Sequence, residues 1–239
     1  MAIDLPPGSA APRLIAFNKP FGVICQFSSH DRHPSLADHI QLADVYPAGR
    51  LDTDSEGLLL LTAQGALQHA IAHPTRKLEK RYWAQVEGTP RPEDLARLRS
   101  GVALGDFITL PCAVNFIEEP GEIWPRNPPI RVRRAIPTCW LEIAIVEGKN
   151  RQVRRMTAAI GLPTLRLIRH SIGPVSLGTL EPGQWRAVEP AAIQAIESHY
   201  ATAREVPGRG SFAPRKRSPL PTGEKPRTSP RRRTGGPRS

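Results

Sequence analysis

The feature that most constrains the fold is a polar turn that runs directly into an apolar segment. Gly49 and Gly57 enclose several charged residues, and four consecutive leucines occupy residues 58–61. Such an apolar run next to turn residues predicts a strand buried on both faces. Glycine also permits backbone conformations that other residues rarely adopt. The sequence therefore predicts a tight loop at the edge of a buried strand, where a ligand can approach the backbone closely.

The acidic residues of this turn, Asp52, Asp54 and Glu56, have the spacing with which a calcium-binding loop begins. Such a loop needs a bidentate Glu at its twelfth position, and that position is Ala63. The calcium interpretation therefore fails. The sequence also has no phosphate-binding glycine loop and no dinucleotide fingerprint. We expect no metal and no cofactor.

The net charge of +11 is concentrated near the C-terminus. Residues 204–239 contain 11 Lys or Arg, 2 Glu and 7 Pro, which leaves 22 basic and 20 acidic residues elsewhere. A segment of this composition cannot bury enough apolar surface to offset its conformational entropy. We therefore predict a disordered tail over residues 201–239. It is either a polybasic arm that binds RNA phosphates or a solubilising extension.

The three cysteines, Cys25, Cys112 and Cys139, are far apart and form no metal-binding pattern. This spacing is typical of free thiols in a reducing compartment. No apolar run reaches 18 residues, and the N-terminal residues do not have the pattern of a signal peptide. We expect a cytoplasmic protein that has no contact with membranes.

Strands and helices alternate irregularly along the chain. Predicted strands cover residues 13–18, 21–27, 82–86, 110–117, 139–146, 163–173 and 180–188. Predicted helices cover residues 35–40, 64–72, 92–99, a segment after Asn150, and 190–200. This order predicts an α+β protein with a mixed or antiparallel sheet.

A cluster of arginines begins the helix that we expect Asn150 to cap. Arg151, Arg154 and Arg155 have the i, i+3, i+4 spacing of one helix face. Positive charges in a first turn oppose the helix dipole, and repeated violation of a local rule indicates a functional site. A solvated basic face is the alternative.

Residues 119–137 contain five prolines and four arginines and predict an irregular insertion. Within it, Trp124 lies close in sequence to Arg126 and Arg131. An aromatic ring among cations suits base stacking and phosphate contacts in RNA. A loop that packs around its own tryptophan is the alternative.

Residues 49–59 resemble the active-site motif of pseudouridine synthases, in the branch that modifies ribosomal RNA. Residues 80–88, 147–156 and 165–173 resemble further motifs of that family, in the expected order. The resemblance covers residues 13–189. It implies the pseudouridine synthase fold, in which a mixed or antiparallel sheet forms two lobes around an active-site cleft.

The domain organisation follows from the resemblance. We expect a flexible N-terminus at residues 1–12 and a catalytic domain at residues 13–200. No N-terminal S4-like domain is expected, because the first predicted strand begins near Arg13. The chain is similar in three respects to the branch that acts on 23S ribosomal RNA. These are the expected lack of this domain and the sequences of residues 125–131 and 148–152.

The resemblance also implies roles for individual residues. Asp52 is the catalytic carboxylate, Tyr82 stacks on the target base, and Arg154 is the basic partner that keeps Asp52 ionised. The residues expected to contact RNA are Arg50, Lys19, Lys149, Arg151, Arg155, Arg126 and Arg131.

The implied reaction isomerises one uridine of 23S ribosomal RNA to pseudouridine, after that base has left its stack. The implied substrate is 23S RNA or an assembly intermediate of the large subunit, bound by a monomer. Two alternatives stay open: a synthase for 16S RNA or tRNA, and a non-catalytic RNA-binding assembly factor. Asp52 could attack C1′, add to the base or remove a sugar proton.

Overall fold

A computed structural model describes residues 12–73, 78–121, 123–131, 133 and 135–205. The strands are β1 (Ile15–Lys19), β2 (Tyr46–Pro47), β3 (Glu56–Thr62), β4 (Lys80–Glu87), β5 (Ala113–Ile117), β6 (Thr138–Ile145), β7 (Thr164–Ile172), β8 (Val175–Ser176) and β9 (Trp185–Ala187). The α-helices are α1 (Gly65–Ala72), α2 (Pro92–Ser100), α3 (Gln152–Ala159) and α4 (Pro190–Glu205), and a short 3₁₀ helix covers Leu36–Asp38.

The strands form one sheet in the order β5-β6-β4-β7-β3-β1-β9, with β2 paired to β3 and β8 paired to β7. The β3–β7 pair is parallel, and the other pairs are antiparallel. The predicted α+β class with a mixed sheet is therefore confirmed.

The leucine run of β3 is buried on both faces of the sheet, as predicted. Leu58 and Leu60 join an apolar cluster that includes residues of α1 and α4. Leu59 and Leu61 join a second cluster on the opposite face. A third cluster covers β4, β6 and β7 and includes residues of α2 and α3. Since side chains alternate along a strand, one apolar run can serve two cores.

Most predicted elements are confirmed, with shifts at their ends. The strand predicted at residues 21–27 is wrong, because the backbone there turns. In this segment Gly22 donates a hydrogen bond to the Thr53 carbonyl and Ile24 donates one to Pro34. The strands predicted at residues 110–117 and 180–188 are the shorter β5 and β9, and the helix predicted at residues 35–40 is the 3₁₀ helix.

The last helix extends beyond its predicted end at Tyr200 and reaches Glu205. The predictions for residues 1–11, and for the tail from residue 206 onward, lie outside the described residues. Among the helices that the structure describes, none is long and apolar enough to cross a membrane.

Candidate active site

The polar turn lies at the start of β3, where it approaches β7 closely. Gly49 and Gly57 both have positive φ angles, of 95° and 99°. A Cβ atom at Gly57 would lie 2.4 Å from the carbonyl oxygen of Arg169 on β7. Glycine at position 57 therefore allows the parallel contact between the two strands, and this contact fixes where the turn begins.

Asp52 projects from this turn with 39% of its side chain exposed. Its nearest cation is Arg151, whose Nη1 lies 3.7 Å from Asp52 Oδ2. The backbone around it is anchored: Ser55 N–H donates to the Asp52 carbonyl at 3.0 Å. The half-buried thiol of Cys25 donates to the Leu51 carbonyl and accepts from the Leu51 N–H. A held loop thus presents an accessible carboxylate.

Arg151, and not Asn150, is the residue that precedes α3, so the predicted Asn150 cap is wrong. Arg151 adopts a left-handed backbone conformation, with φ of 48°, and no side chain caps the helix. Its guanidinium forms two hydrogen bonds to the carboxylate of Asp54, at 2.9 and 2.7 Å. An uncommon backbone conformation therefore directs this cation toward the loop.

Arg154 also turns toward the loop, but it contacts Asp54 instead of its predicted partner Asp52. Its Nη2 donates to the Asp54 carbonyl at 2.7 Å, and Nη1 donates to the Thr164 carbonyl at 3.3 Å. Its Nε lies 3.5 Å from Asp54 Oδ2. These two carbonyl contacts hold the guanidinium, so among the described residues no ion pair within 4 Å joins it to Asp52.

Electrostatics favour the ionised form of Asp54. Partial burial raises the pKa of Asp54, but hydrogen bonds from Arg151 and the charges of both arginines outweigh burial and hold that pKa below its ordinary value. Burial lowers the pKa of Arg154, and the neighbouring carboxylates oppose this shift. Two carboxylates thus lie next to two guanidinium groups.

The arginine cluster predicted from the helix spacing is divided in the structure. Arg155 points away from the loop, contacts Asp106 and the Leu104 carbonyl, and lies 5.2 Å from the Phe107 ring. Lys149 Nζ lies 3.6 Å from the centre of the same ring. Lys149 and Arg155 therefore form a second basic group beside residues 101–110.

Tyr82 lies on β4 with only 7% exposure, on the face of the sheet that α3 covers. It belongs to the same apolar cluster as Leu51 of the loop and Val153 and Met156 of α3. Trp83, the next residue of the strand, faces the other side. The structure thus places the predicted aromatic residue in the apolar cluster to which the loop and the arginine-bearing helix both contribute.

Sequence reasoning missed Arg169, which is 4% exposed. Its Nε donates to the Leu58 carbonyl at 2.8 Å, and its Nη1 donates to the Arg50 carbonyl at 3.4 Å. The Arg169 side chain therefore holds residues at both ends of the segment 49–59. The available signal was its position in the motif-like segment at residues 165–173, to which no role had been given.

Glu56 was also missed, having been considered only as a calcium ligand. It is 1% exposed and forms two hydrogen bonds of 2.8 Å with Arg166. Trp124 donates a third hydrogen bond, at 2.9 Å. Trp124 is therefore partly buried and packs against the sheet, whereas the alternative interpretation was a loop packed around its own tryptophan.

The two insertion arginines predicted to bind RNA differ. Arg126 donates to the carbonyls of Pro128, Pro129 and Leu165 and lies 4.4 Å from the Phe21 ring. Its hydrogen-bonding capacity is largely used within the protein. Arg131 is exposed.

Lys19 and Arg50 differ in the same way. Lys19 is completely buried, and its ammonium donates to the carbonyls of Pro20 and Val23. Burial lowers the pKa of Lys19 to about 8. The structure corrects the expectation that Lys19 reaches RNA, because its ammonium stabilises the turn from inside. Arg50 is exposed beside Asp52.

The structure thus brings Arg151 within 4 Å of Asp52 and joins Arg151 and Arg154 through Asp54. Arg50 lies in the same loop as Asp52, and Tyr82 shares an apolar cluster with Leu51 of that loop. This set of groups suits chemistry on the base of a nucleotide. The guanidinium groups can bind its phosphates, the aromatic residue can contact the base, and the accessible carboxylate can react. The residues that the structure describes contain no group of three or more His, Cys, Asp or Glu placed to hold a metal ion.

Comparisons with known proteins agree on one family. A family model described as RNA pseudouridylate synthase matches residues 13–159. The ribosomal large subunit pseudouridine synthase E of Vibrio parahaemolyticus is 54% identical over 177 residues, which cover 74% of each chain. The protein of the same name from Xanthomonas campestris is 51% identical over 183 residues, which cover 76% of this chain and 98% of its relative.

Among solved structures, a crystal structure of a pseudouridylate synthase superposes with a TM-score of 0.65 and 26% identity. The match covers 79% of this chain and 75% of that structure. The family resemblance noted from the motifs is confirmed.

Proposed function

Because this chain belongs to the RNA pseudouridylate synthase family, we propose that it isomerises one uridine of 23S ribosomal RNA, with Asp52 as the catalytic carboxylate. The proposed substrate is supported by the similarity to relatives named for the ribosomal large subunit. The observation that carries Asp52 is its exposure on an anchored loop beside two arginines.

The reaction breaks the N1–C1′ bond of uridine and joins the same base to C1′ through C5. The C5 hydrogen leaves as a proton and N1 gains one, so the atoms balance without an oxidant or a second substrate. A carboxylate that has free lone pairs can act as nucleophile or base. The Asp52 carboxylate meets this requirement, because Arg151, the cation that lies within 4 Å of it among the described residues, is 3.7 Å away.

Access of the base to Asp52 requires that the uridine leave its stack. Flipping a base costs a few kcal/mol and is easiest in loops or loosely paired RNA. In this proposal the flipped base stacks against Tyr82. That ring is 7% exposed, in the apolar cluster that includes Leu51 and residues of α3, so a base that reaches it has left water.

The arginines have complementary roles. Burial lowers the pKa of Arg154, and the charge of Asp52 is among those that oppose this shift, although the described residues show no ion pair between the two groups within 4 Å. In this proposal Arg154 supplies positive charge on the side of the loop where Asp52 reacts. Asp54 holds Arg154 and Arg151 in place, and Arg50 is positioned to contact a phosphate near the flipped nucleotide.

We further propose that the protein acts as a cytoplasmic monomer on 23S RNA or on an assembly intermediate of the large subunit. Beyond the cleft, the exposed Arg131 and the basic pair Lys149 and Arg155 extend the RNA-binding surface. Phosphate contacts of this kind supply affinity that decreases as salt rises.

The test is to incubate protein-free 23S RNA transcript with wild-type protein or Asp52→Asn, and to map pseudouridine by carbodiimide modification and primer extension. The proposal predicts a new stop at one uridine with wild type and none with Asp52→Asn. Partly assembled large subunits, 16S RNA and tRNA are tested in parallel. Modification of 16S RNA or tRNA alone would overturn the proposed substrate, and modification of none would favour an RNA-binding assembly factor.

A further inference from the structure

A small hairpin beside the site has no role in the chemistry described above. Residues 101–110 form this Phe107 hairpin, in which Ala103 pairs with Ile108. Thr109 N–H donates to the Val102 carbonyl at 3.0 Å, and Leu104 N–H donates to the Phe107 carbonyl at 2.8 Å.

The Phe107 hairpin is held against α3 and the segment that precedes it. Arg155 of α3 donates to the Leu104 carbonyl and pairs with Asp106 at the tip. Glu147 accepts a hydrogen bond from the Leu110 N–H at 2.8 Å. A loop with this many anchors presents its side chains in fixed positions.

The hairpin exposes apolar side chains and also holds two cations in position. Ile108 is 72% exposed and Leu110 is 42% exposed. The Phe107 ring lies beneath Lys149 and Arg155 and thereby fixes where their charges lie. A single exposed apolar residue is ordinary, but here it lies in the same short hairpin whose phenylalanine positions two cations. Single-stranded RNA contacts proteins through both kinds of group, cations at its phosphates and apolar side chains at its bases.

The surface lies close to the proposed reaction centre. Arg155 follows Arg151 by four residues, which is about 6 Å along the helix axis. Arg151 Nη1 in turn lies 3.7 Å from Asp52. Nucleotides in a strand repeat about every 3.4 Å when stacked. RNA whose target uridine lies at Asp52 can therefore place a nucleotide a few positions away on the hairpin.

We propose that the Phe107 hairpin is an RNA clamp that contacts nucleotides flanking the target uridine. Lys149 and Arg155 bind the phosphates, and Ile108 supports a neighbouring unpaired base. Asp106 competes with phosphate for Arg155. This inference rests on the proposed RNA substrate, and it adds a contact surface that Asp52, Tyr82 and Arg154 do not provide.

The main test uses RNA binding and turnover with the 23S RNA transcript. Ile108→Ser is expected to raise KM about fivefold with little change in kcat, because the contact lies away from the reacting atoms. Tyr46→Ser is the matched control. Tyr46 is another exposed apolar residue, 56% exposed, and it pairs with Thr62 at the far end of β3.

Two charge variants test the phosphate contacts by measuring affinity, in the Asp52→Asn background, as a function of salt. Lys149→Ala is expected to lower the slope of log affinity against log salt by about 1. Asp106→Asn is expected to raise affinity about threefold, because it releases Arg155. Glu197→Gln is the control for the added net charge. Glu197 lies on α4, which packs on the other face of the sheet, and it pairs with Arg13.

Each outcome separates the two proposals. Wild-type KM in Ile108→Ser together with an unchanged salt slope in Lys149→Ala would overturn the clamp while leaving the proposed reaction intact. An equal gain of affinity in Asp106→Asn and Glu197→Gln would overturn the role of Asp106. A wild-type protein that neither binds nor modifies the transcript would instead overturn the proposed function.

Discussion

Asp52 and Glu56 are two carboxylates of one motif, four residues apart, in opposite environments. Asp52 is 39% exposed, and its nearest cation lies 3.7 Å away. Glu56 is 1% exposed and accepts three hydrogen bonds, from Arg166 and Trp124. The carboxylate with unused lone pairs is available for chemistry, whereas the saturated one holds the strands together.

The difference arises from where the strand begins. Glu56 is the first residue of β3, and its register opposite Ile168 brings Arg166 of β7 alongside. Asp52 precedes the strand, in a turn that the Asp52 carbonyl helps to close by accepting from Ser55. A shift of a few residues therefore changes a structural ion pair into an accessible functional group.

The largest effect on stability is expected from breaking the Glu56 pair. Glu56→Gln leaves the charge of Arg166 buried without compensation, which should lower the free energy of unfolding by about 3–5 kcal/mol. Urea denaturation measures this change. The matched control is Glu79→Gln, which removes an exposed ion pair with Arg81 and should cost less than about 1 kcal/mol.

The double variant Glu56→Gln/Arg166→Met tests whether the loss of stability comes from the uncompensated charge of Arg166. Removing both charges should restore much of the loss, since an apolar side chain of similar size tolerates burial. Equal stability of Glu56→Gln and Glu79→Gln would contradict a structural role for the buried pair.

A smaller loss is expected at the boundary between the two environments. Gly57→Ala places a Cβ 2.4 Å from a backbone oxygen at a φ of 99°, and should destabilise the fold by about 3 kcal/mol. Gly49→Ala has a similar φ, but nothing within 4 Å would meet its Cβ, so strain alone should cost about 1–2 kcal/mol. Thermal unfolding of both variants compares them, and equal losses would exclude the close approach to β7 as the cause.

The smallest effect on stability is expected at Lys19. This buried residue of β1 lies opposite Gly57 of β3. Burial lowers the pKa of Lys19 from 10.5 to about 8, so between these values the unfolded chain binds more protons than the folded protein. Stability should therefore rise with pH from about 8 to 10, by at most about 1.4 kcal/mol per pH unit.

Comparison with Lys19→Met isolates this contribution, because Lys80 titrates in the same range in both proteins. The difference in unfolding free energy between wild type and Lys19→Met should change with pH in that window. A difference that is constant from pH 7.5 to 10 would contradict the shifted pKa.

The sequence was informative where the pattern was local. The leucine run predicted β3, and the motif order predicted the family and fold class. The partner of Glu56 is Arg166 of β7 and the partner of Arg154 is Asp54 of the loop, and each pair is about 100 residues apart in sequence. The partners of Lys19 are carbonyls of the adjoining turn. Sequence spacing predicted none of these contacts. The division of the arginines likewise depends on the Phe107 hairpin, which sequence spacing alone does not locate.

The most direct test of the divided motif measures catalysis and stability together in Asp52→Asn and Glu56→Gln. RNA labelled with tritium at C5 of uridine releases the label when the base is rejoined through C5, so single-turnover release reports the reaction. We predict that the free energy of unfolding of Asp52→Asn lies within about 0.5 kcal/mol of the wild-type value. Its rate of tritium release should be at least about 10³-fold lower. Glu56→Gln should be less stable but active while folded. Release at the wild-type rate by Asp52→Asn would contradict the account.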